Sequence, residues 1–464
     1  MQIFGVPRAL SACAIIVLGL SCATGAGADT LTQTLIQTYQ QSPVLESERA
    51  RLRATDERVA LARVSRRPTL DFSVSGDFGT SRDSDWELSD SYGVSLRSSL
   101  LLYDNGQSAA AIEAAKAVVA SGRGQLRQVE AQVLLAAVAA YMDIRRDFQS
   151  VTVAQNNVAV LEQQVQATRD RFELGEVTRT DVSLSEARLA AAQANLAAFR
   201  GSLEASREGY RAVVGAPAGT LETPPPLPQL PATLAEAEAI AMRTHPTLEA
   251  ARYAVTASEF DLARARAARG PSVSLNSSIT YADNENFSGR DRDLSAGIGL
   301  TGSVPLYRGG QLSALVRQAE AQLAQARFDV QDIARTIRQN VAVAWSNLAV
   351  ARATIAANRE QVQAARVAFE GVREEATLGA RTPLDVLDLE QELRDAEFQL
   401  ASSLRDEYVG AYQLLSAMGL LNVQHLGLGI PTYDPDVNYV RVQNAPYSTV
   451  EGGILEQLRD RYSR

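Results

Sequence analysis

Leu70-Asp71-Phe72-Ser73-Val74-Ser75-Gly76-Asp77-Phe78 decides how this chain folds. Apolar and polar residues alternate strictly, so an extended backbone places every apolar side chain on one face. Tyr92, Val94 and Leu96 alternate in the same way with Gly93, Ser95 and Arg97, beyond a polar stretch from Gly79 to Asp90. Two strands are therefore expected, over about 70–80 and 91–102. The pattern returns in Val273, Leu275, Ser277, Ile279 and Tyr281, and again in Leu294, Ala296, Ile298 and Leu300, separated by Asp283 to Asp293. This predicts two more strands, about 272–282 and 294–304. Segments of about ten residues with one apolar face, divided by polar loops, carry the signature of a transmembrane β-barrel. Phe78, Trp86, Tyr92 and Tyr281 are its candidate interfacial aromatics. A soluble β-sandwich has the same alternation. Four strands are too few to close a barrel with a lumen, and lipid tolerates no open sheet edge, so several chains must share one barrel.

Outward from the strands, the chain repeats itself. Ser42-Pro43-Val44-Leu45-Glu46 recurs as His245-Pro246-Thr247-Leu248-Glu249, offset by 203. Arg67-Pro68-Thr69-Leu70 recurs as Gly270-Pro271-Ser272-Val273 at the same offset. Leu102 to Gln107 matches Leu306 to Gln311, and Leu174-Gly175 with Thr178 to Val182 matches Leu378-Gly379 with Thr382 to Val386, offset by 204. A constant offset across ordered landmarks means two copies of one unit. The copies span 29–222 and 234–421, joined by the Pro-rich linker 223–233 and followed by a tail, 422–464, expected to be irregular or disordered.

Each unit contains one long helix. From Leu312, apolar or small residues step through Val316, Ala319, Leu323, Ala326, Val330, Ile333 and Ile337, then Val341, Ala344, Leu348, Ala351, Ile355, Asn358, Val362, Ala365, Phe369 and Val372. Alternating steps of 4 and 3, with one extra 4, form a heptad seam with a stutter. Gln311 to Leu378 would extend about 100 Å at 1.5 Å per residue. Gln107 to Leu174 should do the same, weakened by Gly122 and Gly124, each costing about 1 kcal/mol. Shorter helical stretches, roughly Leu31 to Arg66 and Val182 to Val214, together match the long helix and could pair with it end to end.

Composition narrows the function. The chain has 464 residues and a formal charge of −9, which disfavours a nucleic-acid binder. Its two cysteines, Cys13 and Cys22, lie in an N-terminal segment with the layout of a secretory signal peptide ending at Ala26-Gly27-Ala28 (residues 1–28). The two histidines, His245 and His425, are far apart. His245, before Pro246, reads as a helix-boundary residue. No catalytic cluster and no metal or cofactor site is expected, so the chain reads as a non-enzyme. No run of 18 apolar residues follows the signal, so no inner-membrane helix is expected.

An exported, duplicated chain with paired strands between long helices resembles the TolC family of outer-membrane channel-tunnels. The resemblance runs from about Leu31 to Leu421. Its specific wording is Val304-Pro305-Leu306-Tyr307-Arg308-Gly309-Gly310, and Leu378-Gly379-Ala380-Arg381-Thr382-Pro383-Leu384-Asp385-Val386-Leu387-Asp388. The resemblance implies a homotrimer in the outer membrane of a Gram-negative bacterium, with four strands per subunit in a 12-stranded β-barrel and a helical α-barrel crossing the periplasm. It also implies a periplasmic adaptor (membrane fusion) protein and an inner-membrane ABC or RND transporter as partners. The second tip is worded most like the branch serving ABC-driven (type I) protein secretion. Small-molecule efflux is the alternative within the family, and a secreted coiled-coil adaptor or structural protein is the alternative outside it.

At the tips, Thr382, Pro383 and Asp385 read as N-cap, N1 and N3 of a helix, repeated by Thr178 and Asp181. Gly175 and Gly379 are expected to end the long helices, and these tips to dock the adaptor. Asp388 lies beyond capping reach and its repeat counterpart is Leu184; Arg381 stands opposite Val177. Charges that break the symmetry of a duplication point to function. The resemblance implies acidic rings at the periplasmic entrance from Asp385 and Asp388, and a gate-closing link from Arg381 to neighbouring helices, Asp181 among them. Ala376 stands where an aromatic is common in the family, with Phe172 at the equivalent place in copy one.

Overall fold

The computed structural model describes residues 29–82, 86–286 and 289–443. The expected signal peptide and the last part of the tail, 444–464, lie outside them. Each repeat runs helix, helix, strand, strand, long helix, helix. The first comprises α1 (Leu31–Gln41), α2 (Pro43–Val64), β1 (Thr69–Arg82), β2 (Trp86–Tyr103), α3 (Gln107–Glu173) and α4 (Arg179–Val214). The second comprises α5 (Leu234–Thr244), α6 (Pro246–Ala267), β3 (Ser272–Asn286), β4 (Gly289–Ser303), α7 (Gln311–Thr377) and α8 (Pro383–Ala417), followed by α9 (Pro435–Gln443).

The stretch expected as one helix over Leu31 to Arg66 is two. Pro43 has no N–H to continue the ladder, so Ser42 closes α1 through its N–H to the Thr38 carbonyl and opens α2 by accepting from the Leu45 N–H. His245 and Pro246 repeat the break: Nδ1 of the buried histidine accepts from the Thr247 N–H at 3.2 Å, and burial lowers its pKa.

α3 and α7 are 67 residues each. Every buried residue of α7, from Val316 to Ala365, falls on the heptad seam. α7 lies against α8 along one half and against α5 and α6 along the other; α3 pairs with α4, α1 and α2 in the same way and also carries α6 and α8. The densest core sits where the repeats meet, around Leu134, Val138 and Tyr141 of α3, Tyr210 of α4, Val341 of α7 and Leu414 of α8. The Tyr141 hydroxyl donates to the carbonyls of Asp29 and Glu222, tying the start of the first repeat to its end. Gly124, expected only to weaken α3, has a packing role. A Cβ there would stand 2.8 Å from the Pro246 carbonyl oxygen and 2.9 Å from the Ala250 Cβ, so glycine permits α3 and α6 to touch.

The four strands form one antiparallel sheet in the order β1-β2-β3-β4, with β1 and β4 as its edges. They are longer than expected, at 14, 18, 15 and 15 residues, because pairing continues into the polar stretches between them. Gly79 stands opposite Ser89 and Asp283 opposite Arg292, where the two charges form an ion pair of 3.4 Å. A hydrogen-bond ladder needs no apolar face once opposite charges are in register. The tail also departs from expectation. Residues 435–443 form α9 on α2, where Asn438 Nδ2 donates to the buried Asp56 carboxylate at 2.7 Å.

Candidate functional site: a two-faced sheet and two helical tips

The register gives the sheet two unlike faces. On one, Val74, Val94, Tyr281 and Leu294 form one row across the four strands, and Phe72, Leu96, Ile279 and Ala296 another. Residues of this face, Ile298 with them, stand in the open: Phe72 is 68% exposed, Leu294 72% and Ile298 77%. Phe78 meets Tyr92 edge-on at 5.8 Å between ring centres, and the Tyr92 ring lies beside Gly76, covering the gap that glycine leaves. Trp86 starts β2, but its side chain lies outside those described. The opposite face carries Asp71 opposite Arg97, and a Ser73–Ser95 hydroxyl pair at 2.7 Å. Ser99 donates to Asn276 at 3.0 Å, and Asn276 Nδ2 donates to Thr301 at 3.2 Å. An apolar face wide open to its surroundings suits hydrocarbon, and its polar reverse suits a watery lumen. Among the described residues no helix is long and apolar enough to cross a membrane.

At their far ends the long helices turn back through two tips of equal geometry. Gly175 and Gly379 both have φ +78°, a conformation that glycine adopts without a Cβ penalty. The backbone N–H of Glu176 then bonds the Arg171 carbonyl, and that of Ala380 bonds Glu375, each at 2.9 Å. Thr178 and Thr382 follow as N-caps in reciprocal capping boxes. The Asp181 N–H bonds the Thr178 hydroxyl at 3.3 Å, while the Asp181 carboxylate accepts from the Thr178 N–H at 2.8 Å. Asp385 and Thr382 repeat these bonds at 3.3 and 3.0 Å. The backbone N–H of each threonine, then its hydroxyl, holds Asp181 and Asp385 below the ordinary carboxylate pKa. Leu174 and Leu378, just before the two glycines, are 75% and 85% exposed.

The symmetry-breaking charges find partners. Arg381 Nε donates to Glu375 at 2.9 Å, six residues back on its own hairpin, and this bond raises its pKa. Within one chain Arg381 is therefore bound to Glu375 and not to Asp181, whose carboxylate is engaged by Thr178. Asp388 is bound by Arg188 of α4 at 2.8 Å. Arg188 escaped the sequence reading, although it carried a signal: its repeat counterpart is Glu392, so it too breaks the duplication with a charge.

The sequence matches the family described as outer membrane efflux protein over 35–216 and 240–420, one match in each repeat. Outer membrane efflux protein BepC of Brucella suis is 34% identical over 444 residues, covering 95% of this chain and 97% of that protein. Alkaline protease secretion protein AprF of Pseudomonas aeruginosa is 28% identical, covering 76% of this chain and 74% of that protein. The crystal structure of the Campylobacter jejuni CmeC outer membrane channel matches with a TM-score of 0.74 at 13% identity, covering 96% and 98% of the two chains.

Proposed function

This chain belongs to the outer membrane efflux protein family, and on that premise we propose that it is the exit duct of a tripartite export system, conducting cargo passively and catalysing nothing. It resides in the outer membrane and extends into the periplasm. The observation that carries the reading is the four-stranded sheet with two open edges, an exposed apolar face and a polar reverse. Such a sheet is stable in lipid only when closed. Three copies supply 12 strands, and the long helices below continue the barrel as a periplasmic tunnel. At its end, Asp385 and Asp388 form acidic rings that attract cations. Arg381 restrains the entrance through helices of a neighbouring subunit, that subunit's Asp181 among the acceptors, and a docked partner favours the open state. Gly175, Thr178, Gly379 and Thr382 shape the tips that meet the adaptor.

The cargo reading is ABC-driven protein secretion, supported by the wording of the second tip and by the similarity to AprF. Small-molecule efflux through a pump is the second reading, favoured by the similarity to BepC along nearly the whole chain. The inner-membrane partner decides between them. Crosslinking through cysteines placed at Leu174 and Leu378, followed by identification of the captured transporter, should yield an ABC protein for the first and an RND pump for the second. Heat-modifiable trimer bands in outer-membrane fractions test the duct itself; a monomer in the soluble periplasmic fraction would replace it with an adaptor.

A further inference from the structure

α4 and α8 each lead away from one of the two tips, and side chains of the two helices meet at two heights. At the lower, Arg188 Nη2 meets Asp388 Oδ1 at 2.8 Å. At the higher, the half-buried rings of Phe199 and Phe398 pack with centres 4.7 Å apart and planes tilted by 31°. Higher still, Arg405 of α8 bonds Asp143 of α3 at 2.8 Å. Counted along α8 at 1.5 Å per residue, Phe398 lies about 15 Å and Arg405 about 25 Å from Asp388. The hairpins are thus bolted near the core, supported by an aromatic pair, and joined toward the free end by one exposed ion pair, next to which Leu387 of α8 is buried in the apolar core. That pair is accessible to water and cations: its side chains are 37% and 57% exposed. No other charged partner of Arg188 or Asp388 is present among the described residues. Both residues depart from the repeat, which has Glu392 and Leu184 in their places.

We propose that Arg188 is a latch: by holding Asp388 it keeps the two hairpins of a subunit closed on each other and neutralises one acidic residue per subunit at the entrance. The latch rests on the duct reading for its consequence but not for its geometry. Anything that competes for either partner, a cation for Asp388 or a carboxylate of a docked protein for Arg188, releases the α7–α8 hairpin to swing about the Phe199–Phe398 contact. An exposed ion pair shifts an equilibrium about twofold, and three acting together in a trimer about eightfold.

The purified trimer in planar bilayers tests this. Arg188→Ala should raise the open fraction about eightfold, Arg188→Asp should raise it further, and the exchange Arg188→Asp with Asp388→Arg should return it to the wild-type level. An open fraction unchanged in Arg188→Ala, or an exchange that stays open, overturns the latch. A second measurement needs no conduction. Nitroxides on Leu174→Cys and Leu378→Cys, in subunits diluted with unlabelled ones, should show a wider tip-to-tip distance distribution once Arg188→Ala is added. An unchanged distribution also overturns the proposal. Trimers that conduct in none of these variants would refute the duct, while the spin-label distances would still judge the latch.

Discussion

Asn358 Nδ2 donates to Ser403 Oγ across 3.3 Å inside the otherwise apolar seam between α7 and α8, with both residues buried. The first repeat has Ala154 at the position of Asn358, so the bond exists in the second hairpin alone. One polar residue in a heptad seam specifies register at some cost in stability. Ser403→Ala should destabilise by about 1–3 kcal/mol because the buried amide loses its partner. Adding Asn358→Leu should restore most of the loss. The temperature at which the trimer dissociates reads both; a single variant as stable as wild type would remove the bond from the stability of the seam.

Arg381→Ser should increase conductance in planar bilayers, since it deletes a restraint at the entrance. Glu375→Gln is expected to give a smaller increase, because Arg381 is positioned by the Glu375 carboxylate. Equal conductance in Arg381→Ser and wild type would take Arg381 out of the gate.

The acidic rings are best removed without disturbing the cap. Asn at 385 retains an oxygen for the Thr382 N–H, which Ala does not. Asp385→Asn with Asp388→Asn should abolish block by trivalent cations, scored per open channel so that release of the Arg188 latch does not confound it. Block that persists would move the cation site elsewhere.

The caps also fix a pH dependence. Asp181 and Asp385 have depressed pKa values, so they stabilise the tips fully above their ordinary value of 3.8 and lose that contribution as pH falls through the lower folded values. Protection of the Thr178 and Thr382 amides relative to their intrinsic exchange rates should therefore be constant between pH 7 and 5 and fall only below about pH 4. Loss of protection near pH 6 would contradict the capping geometry.

α9 offers the opposite sign. Burial raises the pKa of Asp56, which accepts from Asn438 while Arg123 bonds Asp436 at 2.6 Å. Asn438→Asp sets carboxylate against carboxylate and should speed proteolysis after residue 430 about tenfold at pH 7, as expected from about 1.4 kcal/mol of local destabilisation. Because a carboxyl with a raised pKa recovers its proton before an ordinary one as the pH falls, resistance should return at acidic pH. Equal cleavage of variant and wild type at both pH values would detach Asp56 from the holding of α9.

What the sequence made legible follows from periodicity. The seam from Val316 to Ala365, the glycines at 175 and 379 and the Thr-x-x-Asp caps are local patterns whose physics does not depend on the rest of the molecule. What it hid depends on neighbours. Gly124 looks like a flaw in a helix until Ala250 of α6 is placed against it. Asp283 looks like loop until Arg292 stands opposite. Arg188 has no meaning without a helix 200 residues away. The α1–α2 break is written locally in Pro43, whose missing N–H cannot continue a helix.

The unpaired rims of β1 and β4 carry a consequence for biogenesis. A solitary subunit has no comfortable solvent: water rejects its greasy face, and hydrocarbon rejects its bare backbone. Insertion and oligomerisation must then be one event, so a cell making this protein never exposes its permeability barrier to partly built, leaking intermediates.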